Sequence, residues 1–178
     1  MKKTAIVAAC IMLLAQLSAQ VISSNFNTNN DGWQSRDCPL GGYNTATYQT
    51  TGGNPAGHIS ARDVLPVSTM YFVAPSKFLG NKSWAYNNTL TFDLKVQTGT
   101  FFAEDDVIIE GNGVVLAIDL PNPTTSWTTF TCTLNELSGW KIGTRNGAVA
   151  TKADVQNALC NVTRLWIRAE FFSNFFSF

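Results

Sequence analysis

The sequence predicts an all-β protein, an antiparallel β-sandwich of the jelly-roll type with one short helix. Three observations lead to this fold class. Several short segments are rich in β-branched and aromatic residues, and apolar residues occupy every second position in most of them. Segments rich in Gly, Asn and Pro separate them and predict turns. A single segment has helical spacing, so strands and helices do not alternate as they would in a parallel sheet.

Six segments have the strand pattern. They cover residues 44–51, 89–98, 106–111, 114–120, 127–134 and 164–172. The sequence Gly111-Asn112-Gly113 lies between two of these segments and predicts a tight hairpin, because Gly and Asn tolerate positive φ. The regular succession of strands and turns indicates one domain.

The predicted helix covers residues 151–162. Thr151 can cap its first turn together with Asp154, three residues further on. The apolar residues then fall on one face, namely Val155, Leu159 and Val162.

The N-terminus has the three parts of a secretory leader. Met1-Lys2-Lys3 precede an apolar run over 4–17, and the small residues Ser18-Ala19 follow. The apolar run is shorter than the roughly 20 residues that span a bilayer. We therefore predict a signal peptide over residues 1–20, of bacterial style, and a single β-sandwich domain over residues 21–178. The mature protein is expected to be secreted, extracellular or periplasmic, without a membrane span.

Composition excludes some classes of function. The chain has 12 Lys and Arg against 12 Asp and Glu, for a net charge of +0, so no positive potential attracts nucleic acid. His58 is the one histidine, which excludes paired-histidine metal sites. Outside the leader, Cys38, Cys132 and Cys160 lie in unlike contexts, and no obligatory disulfide is predicted. Cys132 and Cys160 are the first candidate pair, provided that the helix packs across the strand.

The segment YFVAPSKFLGNKSWAYNNTLTFDLKV, residues 71–96, carries a resemblance to a known family. Five further segments follow the same family pattern in order: FNTNNDGW, GNPAGHISARD, DDVIIEGNGVVL, SWTTFTCTL and ADVQNALCNVTRLWIRAEF. The chain closely resembles the laminin B module, also called laminin IV type A, over nearly its whole mature length. Asn27 and Asn87-Asn88 stand where the family often has Asp and Gly-Gly.

The resemblance implies an extracellular jelly-roll sandwich without enzymatic activity and without catalytic residues. It suggests a secreted, non-catalytic adhesion module that binds a glycan or a matrix protein, whose identity the sequence does not reveal. The family usually continues past the WIRAEF segment into a further strand, whereas this chain ends in FFSNFFSF. We therefore expect a truncated sandwich that lacks its closing strand, with apolar surface and an open edge near residues 164–170 that favours self-association.

The aromatic residues of segment 71–96 have two interpretations. Most are expected to fill the core of the sandwich, as large aromatic residues do in β folds. The alternative is a ligand site in which Trp84 or Tyr86, beside polar Asn81, stacks on a sugar ring. Trp84 is the first candidate because it stands in a polar turn.

The catalytic alternative is a glucanase-like, glycan-degrading enzyme. Glu104, Asp106 and Glu110 occupy alternate positions of a predicted strand and would project to one face. Retaining glycosidases hold two carboxylates about 5 Å apart. These residues are also compatible with a solvated turn and the start of a strand, which is the interpretation we favour.

One metal hypothesis remains. No cofactor is certain, but oxygen-bearing side chains alternate in the 27–31 segment before Gly32, as at the start of a calcium loop. Asp31 and Asp63 are the candidate ligands of one structural calcium ion. The alternative is a turn in which the Asn and Asp side chains bond their own backbone.

Overall fold

The computed structural model describes residues 20–55, 57–61, 68–97 and 100–172, which contain eleven strands and one α-helix. The first strands are β1 (Gln34–Cys38), β2 (Tyr43–Thr45), β3 (Thr47–Gln49), β4 (His58–Ser60), β5 (Thr69–Val73) and β6 (Thr89–Leu94). The later elements are β7 (Val107–Gly111), β8 (Val114–Ile118), β9 (Thr128–Thr133), β10 (Lys141–Ile142), α1 (Lys152–Cys160) and β11 (Val162–Arg168). Apart from Gln20, the predicted signal peptide lies outside the described residues.

The fold is the predicted antiparallel β-sandwich. One layer is a seven-stranded sheet in the order β10-β8-β7-β11-β5-β1-β2, and two pairs, β3-β4 and β6-β9, form the remaining strands. All of these pairings are antiparallel. The main core contains Val107, Ile109, Leu116, Leu165 and Ile167 of the large sheet, together with Cys132 of β9, and Leu90 and Phe92 of β6 pack against it.

The strand predictions were correct where one side of the strand is apolar. Strands β6, β7, β8, β9 and β11 lie inside or across the predicted segments, although β6 ends at Leu94. Segment 44–51 forms two strands, because the chain passes from the large sheet to the β3-β4 pair at buried Ala46. Strands β1, β4, β5 and β10 were not predicted.

Helix α1 has the predicted capping box. The Thr151 hydroxyl accepts a bond from Asp154 N at 3.2 Å, and the Asp154 carboxylate accepts one from Thr151 N at 2.8 Å. The helix ends at Cys160, so Val162 belongs to β11 and not to the helix. At Gly111 an added Cβ would lie 2.0 Å from Ala158 O, which shows that the helix packs directly on the β7 backbone.

The predicted hairpin joins β7 to β8. Asn112 and Gly113 have φ values of 47° and 77°. Two successive positive φ values are the geometry of a type I′ turn, whose twist matches that of the flanking strands. The turn fixes the β7-β8 register, in which Gly111 pairs with Val114.

The expectation of an open edge near residues 164–170 was wrong. Strand β11 lies in the interior of the large sheet and pairs with β7 on one side and β5 on the other. Phe171 is 3% exposed, and Phe172 forms an antiparallel bridge with Phe101. The three remaining phenylalanines of the tail, at positions 175, 176 and 178, lie outside the described residues.

A buried ion pair joins the end of β11 to the start of β7. Arg168 is 1% exposed and Asp106 is 5% exposed, and Arg168 Nη1 lies 3.2 Å from Asp106 Oδ1. Arg168 also donates to the carbonyls of Phe102 at 2.7 Å and Glu170 at 2.5 Å. Asp106 Oδ2 accepts a bond from Leu120 N at 2.7 Å. Burial raises the pKa of Asp106, while the Leu120 amide and Arg168 oppose that rise.

Replacing Arg168 with Met is expected to lower the free energy of unfolding by about 3–5 kcal/mol, because the Asp106 carboxylate would stay buried without a counter-charge. Chemical denaturation provides the measurement. Arg145→Met is the matched control: Arg145 lies 3.4 Å from Asp119, whose side chain is 54% exposed. Loss of that pair should change the stability by less than about 1 kcal/mol. Equal losses in both variants would contradict the role assigned to Arg168.

Candidate ligand-binding surfaces

The aromatic residues of segment 71–96 mostly serve the core, as the first interpretation predicted. Tyr71 is 4% exposed. The residues that are half-buried and pack against the main core are Phe72, Phe78, Trp84, Tyr86 and Phe92. Trp84 therefore offers a ligand only part of its ring.

Tyr86 and Asn81 also have partners within the protein. The Tyr86 hydroxyl donates to Glu136 Oε2 at 2.6 Å, which raises the pKa of Tyr86 and lowers that of Glu136. Exposed Asn81 accepts a bond from Ser83 N at 2.9 Å and closes a local turn. No contact in the described residues tests whether Trp84, Tyr86 and Asn81 bind a ligand together, and that site stays a prediction.

The three carboxylates of the catalytic alternative have separate environments. Asp106 is buried against Arg168. Glu110 Oε2 lies 2.6 Å from Arg164 Nη2, and Glu104 is half-buried. The Cα atoms of Asp106 and Glu110 are about 13 Å apart, given roughly 3.3 Å per strand residue. A retaining glycosidase needs its two carboxylates about 5 Å apart, so this pair does not supply the required geometry.

Asp31 lies in a turn of the kind predicted as the alternative to calcium. Its backbone N–H donates to Asn29 Oδ1 at 2.7 Å, and its φ is 52°. The Lys77 ammonium contacts the Asp31 carboxylate and lowers its pKa, and the same ammonium donates to Ser23 O at 2.6 Å. The Lys77 ammonium therefore contacts the Asp31 carboxylate oxygen that a calcium ion would have to bind. The other candidate ligand, Asp63, lies outside the described residues.

No group of three or more His, Cys, Asp or Glu in the described part of the chain is arranged to hold a metal ion. No helix there is both long and apolar enough to cross a membrane. The calcium site remains a hypothesis that only a binding measurement can test.

The outward side of the large sheet carries a cluster that the sequence did not predict. The guanidinium carbons of Arg36 and Arg164 lie 5.6 Å and 4.5 Å from the ring centre of Trp166. Arg36 also lies 4.7 Å from the ring of Tyr43, which is 54% exposed. We use the name arginine–tryptophan face for five residues: Arg36, Tyr43, Glu110, Arg164 and Trp166.

The registers of three strands create this face. Arg36 of β1 pairs with Tyr71 of β5, and Trp166 of β11 pairs with Val73 of β5. Side chains directly across a pair point to the same side of the sheet, so residues distant in the sequence converge. The RLWIR segment already places Arg164 and Trp166 on one face of a strand. Arg36 was missed because β1 was not predicted.

Hydrogen bonds hold both guanidinium groups in place. Arg36 donates to Tyr43 Oη at 2.8 Å and to Gly41 O at 3.3 Å. Arg164 pairs with Glu110, while its buried Nε has no partner among the described residues. Nearby Cys38 is half-buried, and burial raises the pKa of its thiol although both arginines oppose that rise. Tyr71 is the cross-strand partner of Arg36. Burial raises the pKa of Tyr71, and the charges of Asp105 and Glu104 add to the rise.

A second cluster of polar residues surrounds Trp127. The indole N–H donates to Gly52 O at 2.9 Å, Lys95 Nζ lies 4.9 Å from the ring centre, and the His58 ring lies 5.5 Å away. These contacts join the loop between β3 and β4 to the end of β6 and the start of β9. Gly52, Lys95 and His58 of the same chain surround the Trp127 ring, so we assign this cluster a structural role.

The three cysteines among the described residues are free thiols in three different environments. Cys38 is half-buried, Cys132 is buried and Cys160 is exposed. Burial raises the pKa of Cys132 to about 12, so its thiol stays protonated at neutral pH. The exposed Cys160 sulfur accepts a bond from the Ser83 hydroxyl at 3.4 Å.

Calcium at about 1 mM, the range of extracellular modules, is expected to leave the melting temperature unchanged relative to a chelator. The physical reason is the Lys77 ammonium against the Asp31 carboxylate. Thermal melts of the wild type, Lys77→Gln and Asp31→Asn test this. Calcium stabilisation of Lys77→Gln alone would support exclusion by the ammonium. Stabilisation of the wild type that Asp31→Asn removes would contradict the prediction.

Comparisons with known proteins agree with the fold. The sequence model of the family described as Laminin B (Domain IV) matches residues 71–176. Laminin subunit gamma-1 of Danio rerio is 27% identical over 164 residues, and laminin subunit gamma-2 of Equus caballus is 32% identical over 165; each match covers 86% of this chain. The chain spans only 9% and 13% of those relatives.

A solved structure supports the same conclusion about the fold. The L4b domain of human laminin alpha-2 superposes with a TM-score of 0.66 at 18% identity, over 84% of this chain and 86% of that one. At this identity the likeness shows the architecture alone. Together with the family match over residues 71–176, it confirms the predicted resemblance. The chain belongs to the laminin B (domain IV) family.

Proposed function

We propose that this chain is a non-catalytic extracellular adhesion module that binds an acidic matrix glycan through the arginine–tryptophan face. Membership of the laminin B family supports an extracellular module of the matrix or adhesion type. The predicted secretory leader is consistent with that location. The separate environments of Asp106 and Glu110 argue against the glucanase-like alternative.

The observation that carries the proposal is the convergence of two guanidinium groups on one indole. The guanidinium carbons of Arg36 and Arg164 lie 5.6 Å and 4.5 Å from the Trp166 ring centre, so both cations contact the same ring. Glu110 forms an ion pair with Arg164, whereas the hydrogen-bond acceptors of Arg36, which are Tyr43 Oη and Gly41 O, are neutral. The positive charge of Arg36 therefore favours an anionic ligand.

The chemistry of guanidinium suits acidic sugars. Its planar fork of five N–H donors binds carboxylate and sulfate-like groups in a bidentate manner. Arg36 uses two donors on Tyr43 Oη and Gly41 O, which fixes the group before a ligand binds. A preorganised donor loses less conformational entropy on binding.

The aromatic residues of the face have different roles. Trp166 is 5% exposed, so it supports the arginines from below and does not stack on a ligand. Tyr43 is 54% exposed on edge strand β2 and offers ring surface beside Arg36. An exposed aromatic ring next to a cation is a suitable platform for the apolar side of a sugar ring.

Binding should be measured by calorimetry on three soluble polysaccharides: one rich in uronic acid, one sulfated and one neutral β-glucan. We expect the acidic chains to bind and Arg36→Gln to weaken that binding about tenfold, because a charged hydrogen bond is lost. Salt at about 1 M should weaken it further. Arg145→Gln, which changes a surface arginine outside the face, is the control and should bind as the wild type does.

Two outcomes would contradict this proposal. If Trp84→Ala abolishes binding while Arg36→Gln does not, the ligand binds at the predicted Trp84, Tyr86 and Asn81 site. If the protein releases reducing ends from β-glucan and Glu110→Gln stops the release, the module is an enzyme.

A further inference from the structure

Glu110 is the acidic member of the arginine–tryptophan face, and the sheet places it directly beside one of the two arginines. Glu110 of β7 and Arg164 of β11 are cross-strand partners, and Glu110 Oε2 lies 2.6 Å from Arg164 Nη2. The neighbour of Glu110 on the other side is Val115 of β8, whose side chain has no polar group. Arg164 is therefore the strand neighbour that can hold the carboxylate.

The backbone that carries Glu110 is held in place from two sides. Thr163 Oγ1 donates to Glu110 O at 3.2 Å, at the point where the β7-β11 register shifts. At the next residue, Gly111, helix α1 packs so closely that an added Cβ would lie 2.0 Å from Ala158 O. Because such dense packing is not easily compressed, the strand cannot carry the carboxylate away when a ligand approaches.

The two guanidinium groups of the face are unequally available to a ligand. Arg164 Nε is buried, so a ligand reaches only the terminal nitrogens, and Glu110 already holds Nη2. Arg36 donates to two neutral oxygens, Tyr43 Oη and Gly41 O, and its charge stays uncompensated by them. An anion therefore binds at Arg36 without displacing a charged group, whereas at Arg164 it has to compete with Glu110.

The charge of Glu110 acts on a ligand that is bound at Arg36. The Glu110 side chain is 34% exposed, so its carboxylate is accessible from the surface. The guanidinium carbons of Arg36 and Arg164 lie 5.6 Å and 4.5 Å from the ring centre of Trp166. The separation between Glu110 and an anion at Arg36 is therefore on the order of one Debye length, about 8 Å at physiological ionic strength. Glu110 repels any second anionic group that the same ligand brings to the face.

We propose that Glu110 sets the ligand class of the face: it selects glycans of low charge density, whose uronic acid carboxylate binds Arg36, over heavily sulfated glycans. This assignment rests on the proposed function. A uronic acid polymer without sulfate presents separated carboxylates, so one of them can bind Arg36 while a neutral sugar lies beside Glu110. A sulfated polymer brings further anions next to Glu110, and their repulsion lowers its affinity.

Calorimetry on two matched polysaccharides tests this selectivity. Both consist of alternating uronic acid and N-acetylhexosamine, and one of them also carries sulfate. At about 0.15 M salt we expect the wild type to bind the unsulfated chain about tenfold more tightly, although the sulfated chain carries more charge. Glu110→Gln keeps the shape of the side chain and removes its charge. This variant should strengthen the binding of the sulfated chain about tenfold more than that of the unsulfated chain.

Asp119→Asn is the matched control, because it removes the same charge from a carboxylate that is paired with Arg145 outside the face. It should keep the wild-type preference. A wild type that binds the sulfated chain more tightly would overturn the role of Glu110. So would a Glu110→Gln variant that melts like the wild type and keeps its preference, or an equal change of preference in both variants. If Glu110→Gln does not fold, the preference of the wild type alone decides.

Arg36→Gln separates this role from the proposed function. If it weakens the binding of both chains while the wild type shows no preference between them, acidic glycans bind at the face and only the role of Glu110 is wrong. If neither chain binds the wild type, the proposed function and the role of Glu110 are both wrong.

Discussion

The buried pair of Arg168 and Asp106 is the constraint on which the arrangement of the large sheet depends. The guanidinium reaches Asp106, Phe102 O and Glu170 O, while the carboxylate holds Leu120 N. Three chain segments, residues 102–106, 120 and 168–170, thereby meet around two buried charges. Removing one charge would leave the other unsolvated, so the segments must close together or not at all. The aromatic rings of Phe102 and Phe171 lie against the guanidinium and exclude water from it.

From this point β11 extends through the middle of the sheet and supplies both of its sides. Leu165 and Ile167 face the main core, whereas Arg164 and Trp166 face outward. Strand periodicity makes this division obligatory, because a shift by one residue would exchange the two sets. The same register that buries the core therefore places Trp166 beneath the arginines. Fold and candidate surface are therefore two consequences of one strand register.

Sequence patterns predicted the strands whose burial follows apolar alternation, and they failed where it does not. Segment TLTFDL alternates plainly and forms β6, whereas β1, QSRDC, buries Ser35 and Asp37 instead of apolar residues. The candidate face depended on β1, so it could not be predicted. Its residues become neighbours only through pairings between distant strands. Trp84 was chosen for its polar surroundings in the sequence, but those surroundings do not reveal that its ring packs against the core.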